Sequence, residues 1–462
     1  MIRIFRHYIS RAYLILVVIE TCIFFASMYY GSNVRFLLTE SWYSEQDITI
    51  ASLVFATVLL LSCTGLGLYR RTLSWDDYNL LARTCVSFGI AVFIVVSIYY
   101  LIPELLIGRS VLIYAVTFAF AGMMISRHLF YRFVKIEQLQ RRVLVIGSAE
   151  KANRLLSLND SFIHKGFKIV GFIKNPDEES IVDSQYILTS AQTITELAYH
   201  YKVDEIVLAL DDNRRSMPLK QLLDAKLSGF TIMDSMSFYE REQGLVSLDN
   251  ITPSWLVFSD GFSQGGFRAF QKRIIDLLAS SLLLFVSWPI MLITALAIYI
   301  ESGFSGPIFY RQQRVGENNQ LFNVLKFRSM RIDAEKDGAQ WAQKKDNRVT
   351  KVGAFIRMCR IDELPQIFNV FKGEMSFVGP RPERPEFVNS FEKTIPYYAE
   401  RHRVKPGITG WAQLCYPYGA SEYDTIQKLQ YDLYYVKNYS LFLDVSIIIN
   451  TIEVVLWGRG AR

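Results

Sequence analysis

The chain has 462 residues, a formal net charge of +6, an apolar fraction of 51% and an aromatic fraction of 14%. That length leaves room for about three domains, and the apolar content excludes an ordinary soluble globule in favour of a membrane protein with substantial soluble parts. The modest positive charge suits an anionic membrane surface or phosphate-bearing ligands, and nucleic acid is not expected as a partner. Five cysteines without a Cys-x-x-Cys pair, and five scattered histidines, argue against a zinc site or a disulfide framework.

Four apolar stretches fill the first third, at about 13–31, 50–69, 86–102 and 111–130. Each approaches the ~20 residues a membrane-spanning helix needs, so residues 1–135 read as a four-helix transmembrane bundle. Arg3, Arg6 and Arg11 precede the first stretch; Arg70, Arg71 and Arg83 separate the second and third; Arg127, Arg132, Lys135, Arg141 and Arg142 follow the fourth. The remaining two connections hold mainly Glu40, Glu45, Asp47 and Glu104. The positive-inside rule therefore puts both ends of the bundle in the cytoplasm.

The run Val143-Leu144-Val145-Ile146-Gly147-Ser148-Ala149 predicts a buried strand turning into a helix, with further strands at 168–173, 205–210 and 230–233. Residues 141–250 thus read as a Rossmann-like cytoplasmic α/β domain with a parallel sheet. Its glycine pattern is degenerate. Gly147 matches the first position of a dinucleotide loop, but Ala149 and Ala152 replace the later glycines, and Lys174 and Asn175 stand where an acid usually closes the second strand. A scaffolding or regulatory role is the expectation.

A second long apolar stretch, 272–300, opens at Lys272-Arg273 and carries Pro289 near its middle, after Ser287 and Trp288. Proline removes a backbone hydrogen bond and bends a helix. Two readings stand: an ordinary span with a kink, or a re-entrant helix that enters and leaves the cytoplasmic leaflet. The chemistry downstream favours re-entry. The last helix candidate, 441–457, contains Asp444, Asn450 and Glu453 and reads as interfacial or core-packed.

Cations and rigid turns then gather around one acidic pair. Lys326-Phe327-Arg328-Ser329-Met330, Asp346-Asn347-Arg348, Arg357, Arg360-Ile361-Asp362-Glu363-Leu364-Pro365-Gln366, Gly379-Pro380-Arg381-Pro382 and Arg401-His402-Arg403-Val404-Lys405-Pro406-Gly407-Ile408-Thr409-Gly410 follow in order. Pro365 suits a first helical turn and predicts Asp362 near an N-cap, where the positive helix end favours anionic ligands. Cations flanking a carboxylate pair fit phosphoryl transfer from a diphosphate, with a carboxylate as nucleophile.

On five stretches in order, Lys272-Arg273 with Asp276, 326–330, 362–366, 379–382 and 405–410, residues 268–462 resemble the monotopic phosphoglycosyl transferases, the polyprenyl-phosphate sugar-1-phosphate transferases that begin bacterial glycan assembly. The bundle and the degenerate α/β domain resemble the long members of that family, which initiate exopolysaccharides, capsules or O-antigens. The resemblance implies a mainly α catalytic domain with a re-entrant membrane helix at 272–300, on the cytoplasmic face of the bacterial inner membrane. It also implies transfer of sugar-1-phosphate from a UDP-sugar to polyprenyl phosphate, with release of UMP. Asp362 would carry the covalent phospho-sugar, and Glu363 would assist with Mg²⁺ or with proton handling, so that both carboxylates are candidate metal ligands. Lys326, Arg328, Arg360 and Arg381 would contact phosphates. Lys272 and Arg273 would anchor the re-entrant helix at lipid headgroups, with Ser287 and Pro289 at its break. Family members often place Ser directly before this proline, whereas Trp288 intervenes here. The expected partners are UDP-sugar, polyprenyl phosphate and the lipid bilayer, with a homodimer left open. A non-catalytic membrane scaffold that binds nucleotide sugars and regulates polysaccharide assembly is the rival reading.

Overall fold

The computed structural model describes residues 2–4, 7–9, 11–39, 45–69, 78–103, 108–133, 140–160, 166–176, 179–188, 192–211, 217–248, 251, 261–262, 265–332, 348–416, 419 and 421–456. Arg6, Glu40, Arg70, Arg71, Glu104, Lys135, Asp346 and Asn347, invoked above, lie outside the described residues. The chain forms two compact units, Met1–Arg3 with Tyr8–Gln243 and Ile4–His7 with Gly244–Arg462.

After short strands β1 (Ile2–Ile4) and β2 (His7–Ile9), the first unit continues with α1 (Arg11–Thr39), α2 (Glu45–Gly65), α3 (Tyr78–Leu101) and α4 (Arg109–Phe133). Each of these four helices is long and apolar enough to cross a membrane. In lipid a helix satisfies its own backbone, which is why apolar runs of this length fold so. Phe24, Phe55, Leu59, Phe88, Ala115 and Met123 pack their shared core. A Cβ on Gly31 would stand 3.0 Å from the Ala115 nitrogen, so α1 and α4 approach through small residues. The bundle also buries an ion pair, Arg127 Nε to Glu20 Oε1 at 2.7 Å, with the Tyr69 hydroxyl donating to Glu20 at 2.6 Å.

The α/β part runs β3 (Arg141–Ile146), α5 (Glu150–Asp160), β4 (Phe167–Ile173), α6 (Ile194–His200), β5 (Glu205–Leu208), α7 (Leu219–Leu227), β6 (Thr231–Asp234) and α8 (Ser235–Gln243). Its sheet has the order β4-β3-β5-β6, and every pair is parallel. Val143 and Val145 face one core with Leu155 and Phe172, while Leu144 and Ile146 face another with Leu197 and Leu222. Burial on both faces explains the unbroken apolar run that marked β3 in the sequence.

Residues 244–248 belong to the second unit, where Val246 N donates to Gln430 O and Trp411 Nε1 to Gly244 O. Its long helix, α9 (Gly266–Glu301), spans 36 residues and continues through Pro289 as one helix, so the break expected at Ser287 and Pro289 is absent. Asp276, Ser280, Ser287, Met291, Thr294 and Ile298 form a buried stripe along it, while Leu278, Leu282, Phe285, Trp288, Leu292 and Leu296 are exposed. An antiparallel hairpin follows, β7 (Phe309–Val315) and β8 (Leu321–Phe327), which sets Tyr310 opposite Lys326. Next come α10 (Lys351–Met358), a 3-10 turn (Ile361–Gln366), α11 (Ile367–Lys372), β9 (Ser376–Val378), α12 (Pro385–Thr394) and a 3-10 turn (Tyr398–Arg403). The chain closes with β10 (Gly407–Thr409), α13 (Trp411–Cys415), α14 (Glu422–Asn438) and α15 (Leu441–Leu456).

β9 and β10 pair in parallel, Ser376 with Gly407 and Val378 with Thr409. This crossing explains the glycines in two motifs far apart in sequence: a Cβ on Gly407 would fall 2.0 Å from the Gly379 nitrogen. α15 is packed into the unit on one side, with Leu443, Asp444 and Ile447 buried. The architecture is the expected one: apolar helices at the start, a parallel α/β part, and a mainly helical part with a long apolar helix.

Candidate active site

The Asp362-Glu363 pair sits in the 3-10 turn between α10 and α11. Arg360 precedes it in the left-handed region at φ 59°, ψ 16°, and makes no side-chain cap. Asp362 is therefore a first-turn residue, two positions after the N-cap Arg360 and so near an N-cap as expected. Pro365 offers no N–H for an α-helical bond, and the turn closes instead with the tighter bond from Glu363 N to Arg360 O at 3.3 Å.

The two carboxylates have opposite surroundings. Glu363 Oε1 accepts from Arg381 Nη2 at 2.7 Å and from Lys326 Nζ at 3.1 Å, and Arg360 Nη1 stands 3.9 Å from Oε2. Burial alone would raise its pKa, but Arg381 and Lys326 outweigh that and hold the carboxyl well below the usual range. Asp362 has no side-chain hydrogen bond among the described residues. Burial, then the negative charge of Glu363, raises its pKa, against the pull of Lys326, Arg357 and Arg360. One acid is tied down by cations, and its neighbour is left with an uncommitted oxygen pair.

The structure brings Lys326, Arg360 and Arg381 to this pair. Burial lowers the Lys326 pKa, partly offset by the Glu363 charge beside it. Arg328 is placed differently. Its backbone N donates to Ile308 O at 2.9 Å, and its Nη1 is buried without a partner among the described residues. Lys272 Nζ donates to Val378 O at 3.0 Å, Tyr435 OH at 3.0 Å and Asp444 Oδ2 at 2.9 Å. Arg273 donates to Val370 O at 2.6 Å and Phe371 O at 2.7 Å, satisfying terminal carbonyls of α11. The two expected headgroup anchors thus spend these donors inside the unit. Asp276 Oδ1 accepts from Ser376 Oγ at 2.8 Å and Phe377 N at 2.9 Å. Ser287 is buried with its Oγ 3.7 Å from Met291 Sδ, and Pro289 is exposed.

Sequence reasoning passed over Asp432 and Tyr398 and gave no role to Arg314 or Arg401. Arg401 Nη2 lies 2.7 Å from Asp432 Oδ2 and donates to Arg381 O at 2.9 Å; Arg401 Nη1 donates to Tyr398 OH at 2.9 Å. The cation run 401–405 was the available signal, but nothing in it says which cation turns inward.

In the first unit, Asp211 Oδ2 and Oδ1 accept from the amides of Glu150 and Lys151, both at 3.1 Å. These are amides at the start of α5, where a dinucleotide fold receives pyrophosphate. Gly147, at φ +121°, owes its identity to the chain beside it, since a Cβ there would meet Ala209 O at 2.3 Å.

Residues 267–458 match the family described as bacterial sugar transferase, and residues 64–224 match the one described as CoA-binding domain. The chain is 33% identical over 431 residues to the UDP-glucose:undecaprenyl-phosphate glucose-1-phosphate transferase of Xanthomonas campestris pv. campestris, covering 88% of this chain and 87% of that protein. It is 32% identical over 320 residues to the Escherichia coli (strain K12) protein of the same name, covering 68% of this chain and 67% of that protein. The UDP-N-acetylgalactosamine-undecaprenyl-phosphate N-acetylgalactosaminephosphotransferase of Aeromonas hydrophila is 52% identical over 194 residues, a match spanning 42% of this chain and only 45% of that protein. With the carboxylate pair and its cations carried on the matched segment, the chain belongs to the polyprenyl-phosphate sugar-1-phosphate transferases, membrane enzymes of the phosphotransferase class.

Proposed function

We propose that the enzyme transfers sugar-1-phosphate from a UDP-sugar to undecaprenyl phosphate through a covalent intermediate on Asp362. The observation that carries this reading is the contrast within the pair: Glu363 is held by Arg381 and Lys326, whereas Asp362 has no side-chain hydrogen bond among the described residues. A carboxylate oxygen of Asp362 attacks the β-phosphorus of the donor, and the bond from that phosphorus to the bridging oxygen breaks, releasing UMP. An oxygen of the polyprenyl phosphate then attacks the acyl phosphate, which frees Asp362 and yields polyprenyl-diphosphate-sugar. Lys326, Arg360 and Arg381 are placed to stabilise charge on the phosphate oxygens during both displacements. The reaction would start exopolysaccharide, capsule or O-antigen assembly.

Among the described residues, no group of three or more His, Cys, Asp or Glu forms a metal cage. Two adjacent carboxylates nevertheless fit Mg²⁺, which is commonly bound through one or two carboxylates plus substrate phosphates and water. Asp362 and the Oε2 of Glu363 would hold it, and when bound it would neutralise charge on the diphosphate.

The catalytic part, 268–462, is assigned to the cytoplasmic face of the bacterial inner membrane, with α9 as a re-entrant helix. Contacts at both of its ends support this. Near its start Lys272 and Asp276 bond to β9, and at its end Glu301 Oε1 accepts from Lys351 N at 2.8 Å and Val352 N at 3.2 Å. A helix of this length reaches about 54 Å, yet both ends and the buried stripe between them pack on one unit. Its opposite face offers apolar side chains to lipid.

The decisive assay supplies membranes with undecaprenyl phosphate and either UDP-glucose or UDP-N-acetylgalactosamine. Asp362→Asn is expected to abolish UMP release, a loss of at least about 10³-fold. Retained turnover would remove Asp362 as nucleophile, and release of UDP in place of UMP would overturn the reaction class.

A further inference from the structure

The loop that carries Arg381 is bonded at every residue from 379 to 383. Gly379 N donates to Thr409 O at 2.9 Å, and Pro380 O accepts from Gly407 N at 3.0 Å. Arg381 O accepts from Arg401 Nη2 at 2.9 Å, Pro382 O from Arg314 Nη1 at 3.0 Å, and Glu383 O from Val315 N at 3.0 Å. Two prolines fix φ within the same stretch. The Arg401 side chain is only 7% exposed; Asp432 Oδ2 lies 2.7 Å from it, Tyr398 OH accepts at 2.9 Å, and its guanidinium carbon stands 5.3 Å from the Tyr398 ring centre. Arg314, 16% exposed, reaches Glu383 Oε2 at 3.3 Å and Gln312 Oε1 at 2.7 Å.

Burying a guanidinium is costly even when it is paired, and a buried ion pair is a poor way to gain stability. Here two such groups converge on consecutive carbonyls of one short loop, the loop whose side chain reaches Glu363. We propose that Arg401, braced by Asp432, and Arg314 are positioning residues that clamp residues 381–383 from two sides and so hold the Arg381 guanidinium on Glu363. Neither clamp arginine has its hydrogen bonds directed at Asp362 or Glu363. Their action on the reaction runs through Arg381, and the inference rests on the reading of the carboxylate pair as the reacting site.

The test measures kcat and donor KM for the full-length enzyme in lipid nanodiscs, with Arg401→Gln, Arg381→Gln and the double variant, and with thermal unfolding to confirm folding. A displacement of about 1 Å at a reacting group can cost roughly 10²-fold, and Arg401→Gln is expected to lower kcat by about 10- to 100-fold. Its division between kcat and KM should follow that of Arg381→Gln. The double variant should lose no more than about twofold beyond Arg381→Gln alone, because residues acting through one another are not additive. Losses that multiply would overturn the proposal, as would wild-type kcat in a folded Arg401→Gln or in Arg381→Gln. If Arg401→Gln does not fold, Arg314→Lys serves in the same cycle with the same expectations. Failure of the reaction assignment shows separately, as turnover retained by Asp362→Asn.

Discussion

Asp362 and Glu363 show how neighbours in a chain acquire different surroundings. The same peptide geometry sends one carboxylate to Arg381 and Lys326 and leaves the other uncommitted. His402, one residue beyond Arg401, illustrates burial outweighing a nearby carboxylate, since Glu392 Oε1 stands 3.9 Å from its Nδ1. Burial first, and then the Arg401 charge, lower its pKa from 6.5 to about 3, and its Nδ1 has no hydrogen-bond partner among the described residues. The folded protein therefore keeps this imidazole neutral where the unfolded chain already binds a proton. Stability from His402 is complete above about pH 6.5 and drains as pH falls toward about 3. Between pH 7 and pH 5 the wild type should lose more of its thermal unfolding temperature than His402→Gln does. Equal declines in the two proteins would remove His402 as a source of the pH dependence.

At the scale of elements, the strand–turn–helix 141–160 shows what a motif does and does not carry. The apolar run of β3 is legible because it is buried on both faces, and Gly147 is legible as a turn. The meaning of that turn was not, because Ala209 and Asp211 come from the loop after β5, some sixty residues on. Gly147→Ala is expected to destabilise the first unit by at least about 1–3 kcal/mol through backbone strain and the clash with Ala209 O, while leaving the transferase reaction largely intact. Thermal unfolding read beside UMP release separates the two effects; lost activity in a protein that still folds would give this loop a part in the chemistry. The 3-10 turn holding Asp362 teaches the same lesson in the catalytic part. Its existence follows from Pro365, but its tightness and the left-handed Arg360 depend on how α10 and α11 pack.

At the scale of the molecule, the question is where α9 leaves its two flanks. Composition makes it long and apolar enough to cross a membrane, as the four N-terminal helices are. Its buried stripe and the contacts at both ends favour re-entry, with β7 and β8 on the same side as Lys272. A cysteine introduced at Glu317 in an otherwise cysteine-free enzyme should react with membrane-impermeant thiol reagents only from the cytoplasmic side. Labelling from the outer side would make α9 a full span and separate the site from its nucleotide donor.

The spans, the parallel sheet and the candidate pair were all readable from residue order, because hydropathy, periodicity and proline act over short stretches of chain. Lys326 and Arg381 were named from their motifs, but their common hold on Glu363 was not. Nor were the inward turns of Arg401 and Arg314 onto the Arg381 loop, or the carboxylate of Asp211 at the start of α5. By itself the sequence determined which segments are long and apolar enough to cross a membrane, which form the sheet, and which acids and cations are available for phosphate chemistry. Only the tertiary structure decided which acid is neutralised and which left open, because that depends on charges tens of residues apart being packed within hydrogen-bonding distance.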